Sequence, residues 1–172
     1  MDSKPQPDPA TVELSLALAR AAFDDERDRG QGLEGKSSTL AGFSGAILAI
    51  NLAQVRDVSR VDLDSLGKPM LEVLLVVSGL MLAAASLLYL AVLRPREYSV
   101  LDVTLSLLTA EAMSVAPEQV QGRMATTLGD MTIEQRAVND RKARTMAFAG
   151  WALALGLVSV GAESLILGVA QV

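Results

Sequence analysis

Apolar residues in this chain fall into three blocks, and almost all of the charge lies between them. Residues 38–55 read STLAGFSGAILAINLAQV, residues 70–93 read MLEVLLVVSGLMLAAASLLYLAVL, and residues 146–170 read MAFAGWALALGLVSVGAESLILGVA. A helix rises about 1.5 Å per residue and the hydrocarbon core of a bilayer is about 30 Å thick, so about 20 apolar residues cross it. The second block has the length and carries little polarity beyond Glu72 near its start. The third is long enough but contains Glu163, and the first is short, with Asn51 and Gln54 near its end. None of the blocks shows the single apolar stripe of a helix on a soluble protein's surface. The pattern predicts three transmembrane helices, at 38–55, 70–93 and 146–170.

The remaining segments predict helices as well. Residues 1–8 form a polar, proline-bearing tail that lacks the apolar core of a secretory signal. Asp8 followed by Pro9 is an N-cap and first-turn pair. From there a helix is expected, with Leu14, Leu18, Ala21 and Ala22 on one face, ending at Gly30, Gly32 and Gly35. Residues 9–37 thus read as a cytoplasmic helix with a glycine-rich, flexible joint. Residues 56–69 form an external loop and 94–145 a cytoplasmic helical region. Within that region 97–113 has helical composition, Pro117 interrupts and can restart a helix, and IEQRAVNDRKAR runs directly into the third span. The expected fold is all-α: a multi-pass membrane protein with about three transmembrane helices and a small cytoplasmic helical region.

Charge sets the orientation. Of the 15 lysines and arginines, the 56–69 loop holds only Arg56, Arg60 and Lys68, so 12 lie on the other side of the membrane. The positive-inside rule makes that side cytoplasmic, placing the N-terminus inside and the C-terminus outside. The net charge of −5 does not suit a nucleic-acid-binding surface. The chain has no cysteine and no histidine, which removes disulfides, thiolate or imidazole metal sites and histidine-based proton transfer.

One motif points elsewhere. GQGLEGKS, residues 30–37, matches the G-x-x-x-x-G-K-[ST] pattern of a phosphate-cradling P-loop. That chemistry needs a buried strand before the glycines and a helix packed on a sheet after the lysine. Here a charged helical segment precedes the motif and a membrane span follows it. The match is read as a junction, with Lys36 extending its ammonium into the headgroup region, and the chain is not expected to be an enzyme.

Four polar residues share the outer leaflet of the expected topology: Asn51, Gln54, Glu72 and Glu163. An intramembrane carboxylate costs at least about 2.5 kcal/mol unless it is paired, hydrated or protonated. Two readings of Glu163 stand side by side: an acidic ring lining a cation pore in an oligomer, or a protonated side chain bonded to Asn51 or Gln54. Glu72 reads as an interfacial residue. The small-residue pairs Ala41/Gly45, Gly79/Ala83 and Ala152/Gly156 suit close helix packing, within one chain or between copies.

The entries into the first and third spans repeat each other, KSSTLAGFSGAILA from Lys36 and KARTMAFAGWALA from Lys142. With the charged N-terminal helix and the apolar second span, LEGKSSTLAGFSGAILAI and NDRKARTMAFAGWALALGL resemble the small transmembrane effectors of pyrimidine-cyclase antiphage (Pycsar) systems and their SLATT-like relatives. The likeness covers roughly residues 10–168. It implies an inner-membrane protein activated by a cyclic pyrimidine nucleotide, cUMP or cCMP, from a partner cyclase, and acting by impairing the membrane so that the infected cell stops growing. It implies a homo-oligomer in the lipid bilayer and no cofactor beyond the activating nucleotide. Candidates to bind that nucleotide are Arg94, Arg96, Arg123, Asn139, Arg141 and Lys142, with Tyr98 as a stacking face. Two other readings remain: an accessory membrane subunit that docks a partner protein, and a holin-like pore former that needs no ligand.

Overall fold

A computed structural model describes residues 8–58, 67–94 and 116–170. It is all-α. Three helices, α1 (Pro9–Val58), α2 (Gly67–Val92) and α3 (Pro117–Ala170), each contain a stretch long and apolar enough to cross a membrane. By helix length and hydropathy the chain is a multi-pass membrane protein. The expected helix at 97–113, with Tyr98 and the candidate Arg96, lies outside the described residues, as do most of the tail and part of the 56–69 loop.

The helix starts follow from their caps. Asp8 Oδ1 accepts the N–H of Ala10 at 3.4 Å, and its carbonyl takes the N–H groups of Thr11 and Val12. Pro9 follows in the first turn, where a missing N–H costs nothing. At α3 the carbonyl of Ala116 receives the N–H groups of Gln119 and Val120, so the helix does restart at Pro117, and it continues unbroken into the third apolar block.

The expected end of the first helix at Gly30, Gly32 and Gly35 is overturned. α1 runs through all three, and no glycine among the described residues has positive φ. Each glycine costs a helix interior about 1 kcal/mol relative to alanine, and packing outweighs this. A Cβ at Gly30 would stand 3.0 Å from Asn139 Oδ1, so the glycine marks a close approach to α3 and not a break. The face assigned to the start of α1 is corrected too. Val12 and Leu16 are buried and Phe23 is half-buried, whereas Leu14 and Leu18 are exposed.

The chain divides into two compact units, Met1–Gly32 with Pro95–Asp140 and Leu33–Arg94 with Arg141–Val172. In the second unit the three helices form a bundle. α1 and α2 run antiparallel, since Ser37 meets Tyr89 while Asn51 meets Ser78. α3 runs parallel to α1, with Lys142 on Glu34 and Glu163 on Asn51. Leu82, Ala85, Tyr89, Ala149 and Leu153 form the main core, and Val58, Leu71 and Leu167 a smaller one.

Buried positions in this bundle recur with a coiled-coil spacing. In α1 they are Ser37, Ser44, Asn51 and Val58, one every seventh residue; in α2 Leu71, Ser78, Leu82, Ala85, Tyr89 and Val92 alternate steps of three and four after the first. The distribution is inverted relative to a soluble protein. Ser37, Ser44, Asn51, Ser78 and Glu163 are fully enclosed, while Phe43, Leu80, Leu87, Phe148, Trp151, Val158 and Leu165 are exposed. Contiguous apolar surface of this kind is stable against lipid and not against water.

Of the small-residue pairs, two contribute inside the chain. A Cβ at Gly156 would come within 2.9 Å of Leu82 Cγ and Cδ2, and one at Gly79 within 3.1 Å of Asn51 Oδ1. At Gly45 a Cβ would meet nothing within 4 Å.

Candidate functional site

Two clusters of polar side chains stand out, one in each unit. The intramembrane one is built by α1, α2 and α3 from Asn51, Ser78 and Glu163, all fully buried. Asn51 Nδ2 donates to Ser78 Oγ at 2.6 Å and to Glu163 Oε2 at 3.2 Å. Ser78 Oγ also lies 2.6 Å from Glu163 Oε1 and 3.0 Å from the carbonyl oxygen of Leu75. Gly79 leaves room for the Asn51 amide, whose Oδ1 has no hydrogen-bond partner.

This arrangement joins Glu163 to Asn51 and separates both from the other two polar residues. Gln54 Nε2 donates to Ser164 Oγ at 3.3 Å instead of reaching Glu163. Glu72 is exposed and lines a groove with Val55, Val58, Leu75 and Val76. Within the single chain the Glu163 carboxyl faces the bundle interior, not an outer surface where copies would contribute it to a common ring.

Towards the other end of the spans the same seam stays polar. Ser44 and Ser86 share a hydrogen bond of 2.8 Å. Ser37 Oγ donates to the Tyr89 carbonyl at 3.1 Å, which lies in the last turn of α2, where carbonyls lack helical partners. Ser37 is the serine of the P-loop-like motif. The motif lies wholly within α1, so its backbone N–H groups point along the helix to carbonyls one turn back and form no phosphate cradle.

In the first unit the cluster centres on Glu26, which is 4% exposed. Asn139 Nδ2 donates to the Glu26 carbonyl at 2.7 Å and to its Oε2 at 3.0 Å. Arg136 Nε donates to Oε1 at 2.9 Å, and Arg29 pairs with both Glu26 and Asp140. The Asn139 hydrogen bond, then that of Arg136, and the charges of Arg29 and Arg136 hold the Glu26 carboxyl below its ordinary 4.5, against the opposing effect of desolvation.

A carboxyl held lower in the folded state than in the unfolded chain contributes stability at pH above 4.5 and loses it as pH falls through the folded value. Thermal unfolding in detergent, followed from neutral pH into acid, should therefore show a loss of stability below that point. In Glu26→Gln the loss should be smaller, and an unchanged acid slope would remove Glu26 from the account.

Of the candidate nucleotide-binding residues that are described, two already have acidic partners within their own units. Asn139 is buried and engaged by Glu26, and Lys142 is buried and ion-paired with Glu34. Arg94, Arg123 and Arg141 are exposed, and Arg96 lies outside the described residues. Ser78 and Glu26, each central to its cluster, were not singled out by the sequence pattern. Ser78 carries a usable signal, being a polar residue beside a glycine in an otherwise apolar block. Glu26 carries little, because it sits among several acids in FDDERD. Compared with known proteins, the chain matches no protein-family profile, no curated protein and no solved structure.

Proposed function

We propose that this chain is an inner-membrane effector of antiphage defence, activated by a cyclic pyrimidine nucleotide, cUMP or cCMP, from a partner cyclase. On this reading it is not an enzyme. It sits with its N-terminus in the cytoplasm and its C-terminus outside, self-associates in the bilayer, and causes abortive infection by making the membrane leak. The ligand class rests on the resemblance of the two lysine-led span entries to the Pycsar effectors.

The structural observation that favours a gated effector is the continuity of α1 and α3. Each leaves the unit containing the Glu26 cluster and enters the three-helix bundle without departing from helical geometry. A ligand that altered the pairing of α1 with α3 in the first unit would have two unbroken helices through which to disturb the Asn51–Ser78–Glu163 packing. The exposed Arg94, Arg123 and Arg141 are open to an anionic ligand as they stand, whereas Asn139 and Lys142 would first have to leave their carboxylate partners. A second copy of the chain can approach closely at Gly45.

The test is dye release from liposomes holding the purified full chain, with cUMP, with cCMP and with neither. Release with one nucleotide only is expected. Release without any nucleotide would replace this reading with a ligand-independent pore former. No release under any condition would leave the accessory-subunit reading.

A further inference from the structure

The Asn51–Ser78–Glu163 cluster can be counted hydrogen by hydrogen, and the count does not close with an ionised glutamate. Four polar contacts of 3.2 Å or less converge there. Two of them, from Asn51 Nδ2 to Ser78 Oγ and to Glu163 Oε2, use the two hydrogens of the amide nitrogen. The other two are oxygen to oxygen: Ser78 Oγ to the Leu75 carbonyl at 3.0 Å, and Ser78 Oγ to Glu163 Oε1 at 2.6 Å.

A serine hydroxyl has one hydrogen and two lone pairs, and a backbone carbonyl has no hydrogen to give. Ser78 therefore serves one of the two oxygen–oxygen contacts, and the second needs a hydrogen on Glu163. With that hydrogen in place all four contacts are satisfied. Glu163 Oε1–H donates to Ser78, Ser78 donates to Leu75, and Ser78 accepts from both Glu163 and Asn51. Turning the Asn51 amide over makes the count worse, since the amide oxygen would then need hydrogens from the same two groups.

We propose that the Asn51–Ser78–Glu163 cluster is a proton-binding site, and that the packed bundle is its proton-occupied form. The site is enclosed by the chain itself, with all three side chains fully buried. Asn51 and Ser78, which reach Glu163 from α1 and α2, do not titrate. The titratable groups on those two helices nearest the cluster are Arg56, more than a turn from Asn51, and Glu72, nearly two turns from Ser78, both exposed; Tyr89 lies three turns from Ser78. Among the described residues the carboxyl thus has neutral hydrogen-bond partners, Asn51 and Ser78, and the proton is what matches its charge to that setting. This inference does not depend on the nucleotide reading.

Infrared difference spectra of the full chain in lipid vesicles at neutral pH, wild type against Glu163→Gln, test it directly. Glutamine keeps a donor at the position of the acid hydrogen, so the variant should fold. The wild type should show a carboxylic-acid C=O stretch that shifts in D2O and is lost in the variant. Ser78→Ala, which removes the acceptor of that hydrogen, should move the same band. A carboxylate band in place of the acid band would overturn the proposal, and an acid band that ignores Ser78→Ala would remove it from this cluster.

Discussion

Gly156→Val should destabilise the three-helix bundle by about 1–3 kcal/mol, the usual cost of forcing extra carbon into a packed core. Even the first added carbon would lie 2.9 Å from both Cγ and Cδ2 of Leu82. Leu82 is itself fully enclosed with Ala85, Tyr89, Ala149 and Leu153, and its Cγ is not the loose end of a flexible chain. α2 and α3 would have to separate, drawing Ser78 away from Glu163. Unfolding in mixed micelles measures the change. Gly161→Ala is the reference, since a Cβ there meets nothing within 4 Å, and it should be neutral or mildly stabilising through helix propensity. Equal behaviour of the two variants would disprove the close approach at Gly156.

Asn139→Leu should have an effect of similar size that begins in the other unit. It removes both donors that Asn139 gives to Glu26 and leaves a buried carboxylate supported by arginines alone. A buried polar group stripped of a partner costs about 1–3 kcal/mol. Hydrogen exchange should quicken most in α1 before Gly32, the segment that Asn139 holds through Glu26. On a Glu26→Gln background the same substitution should cost less, as expected for two residues in one network. Equal costs on both backgrounds would show that Asn139 acts by packing alone.

The membrane architecture was legible because it rests on composition summed over about 20 residues at a time, a signal too large for local exceptions to hide. The helix boundary at Gly30 was misread because propensity is local whereas the benefit that overrides it comes from Asn139, more than a hundred residues away. The face of α1 was misread for a related reason. Leu14 and Leu18 are the larger apolar residues, yet counting back in sevens from Ser37 through Gly30 leads to Phe23 and Leu16, which lie on the buried side. Periodicity, not residue size, held the information.

The polar residues divide in the same way. Glu163 and Asn51 were visible as exceptions within apolar blocks, and their pairing was one of the alternatives the sequence allowed. Asn139 and Lys142 were visible only as donors. Their partners Glu26 and Glu34 lie 113 and 108 residues earlier, and nothing in linear spacing relates an acid in one segment to a base in another.

A polar residue at every seventh position from Ser37 to Asn51 gives α1 teeth that mesh with α2 like a rack with a pinion. Moved by one repeat, about 10 Å, α1 would bring Asn51 to Ser86 in one direction or Ser44 to Ser78 in the other, whereas a slip of one turn would set Asn51 against Leu75 or Leu82. Such a ladder, taken alone, permits more than one mesh. Gly79 is the key that admits one of them, because seven residues to either side stand Glu72 and Ser86, whose side chains would occupy the space the Asn51 amide needs. A single missing side chain thus selects the alignment that the repeat leaves open.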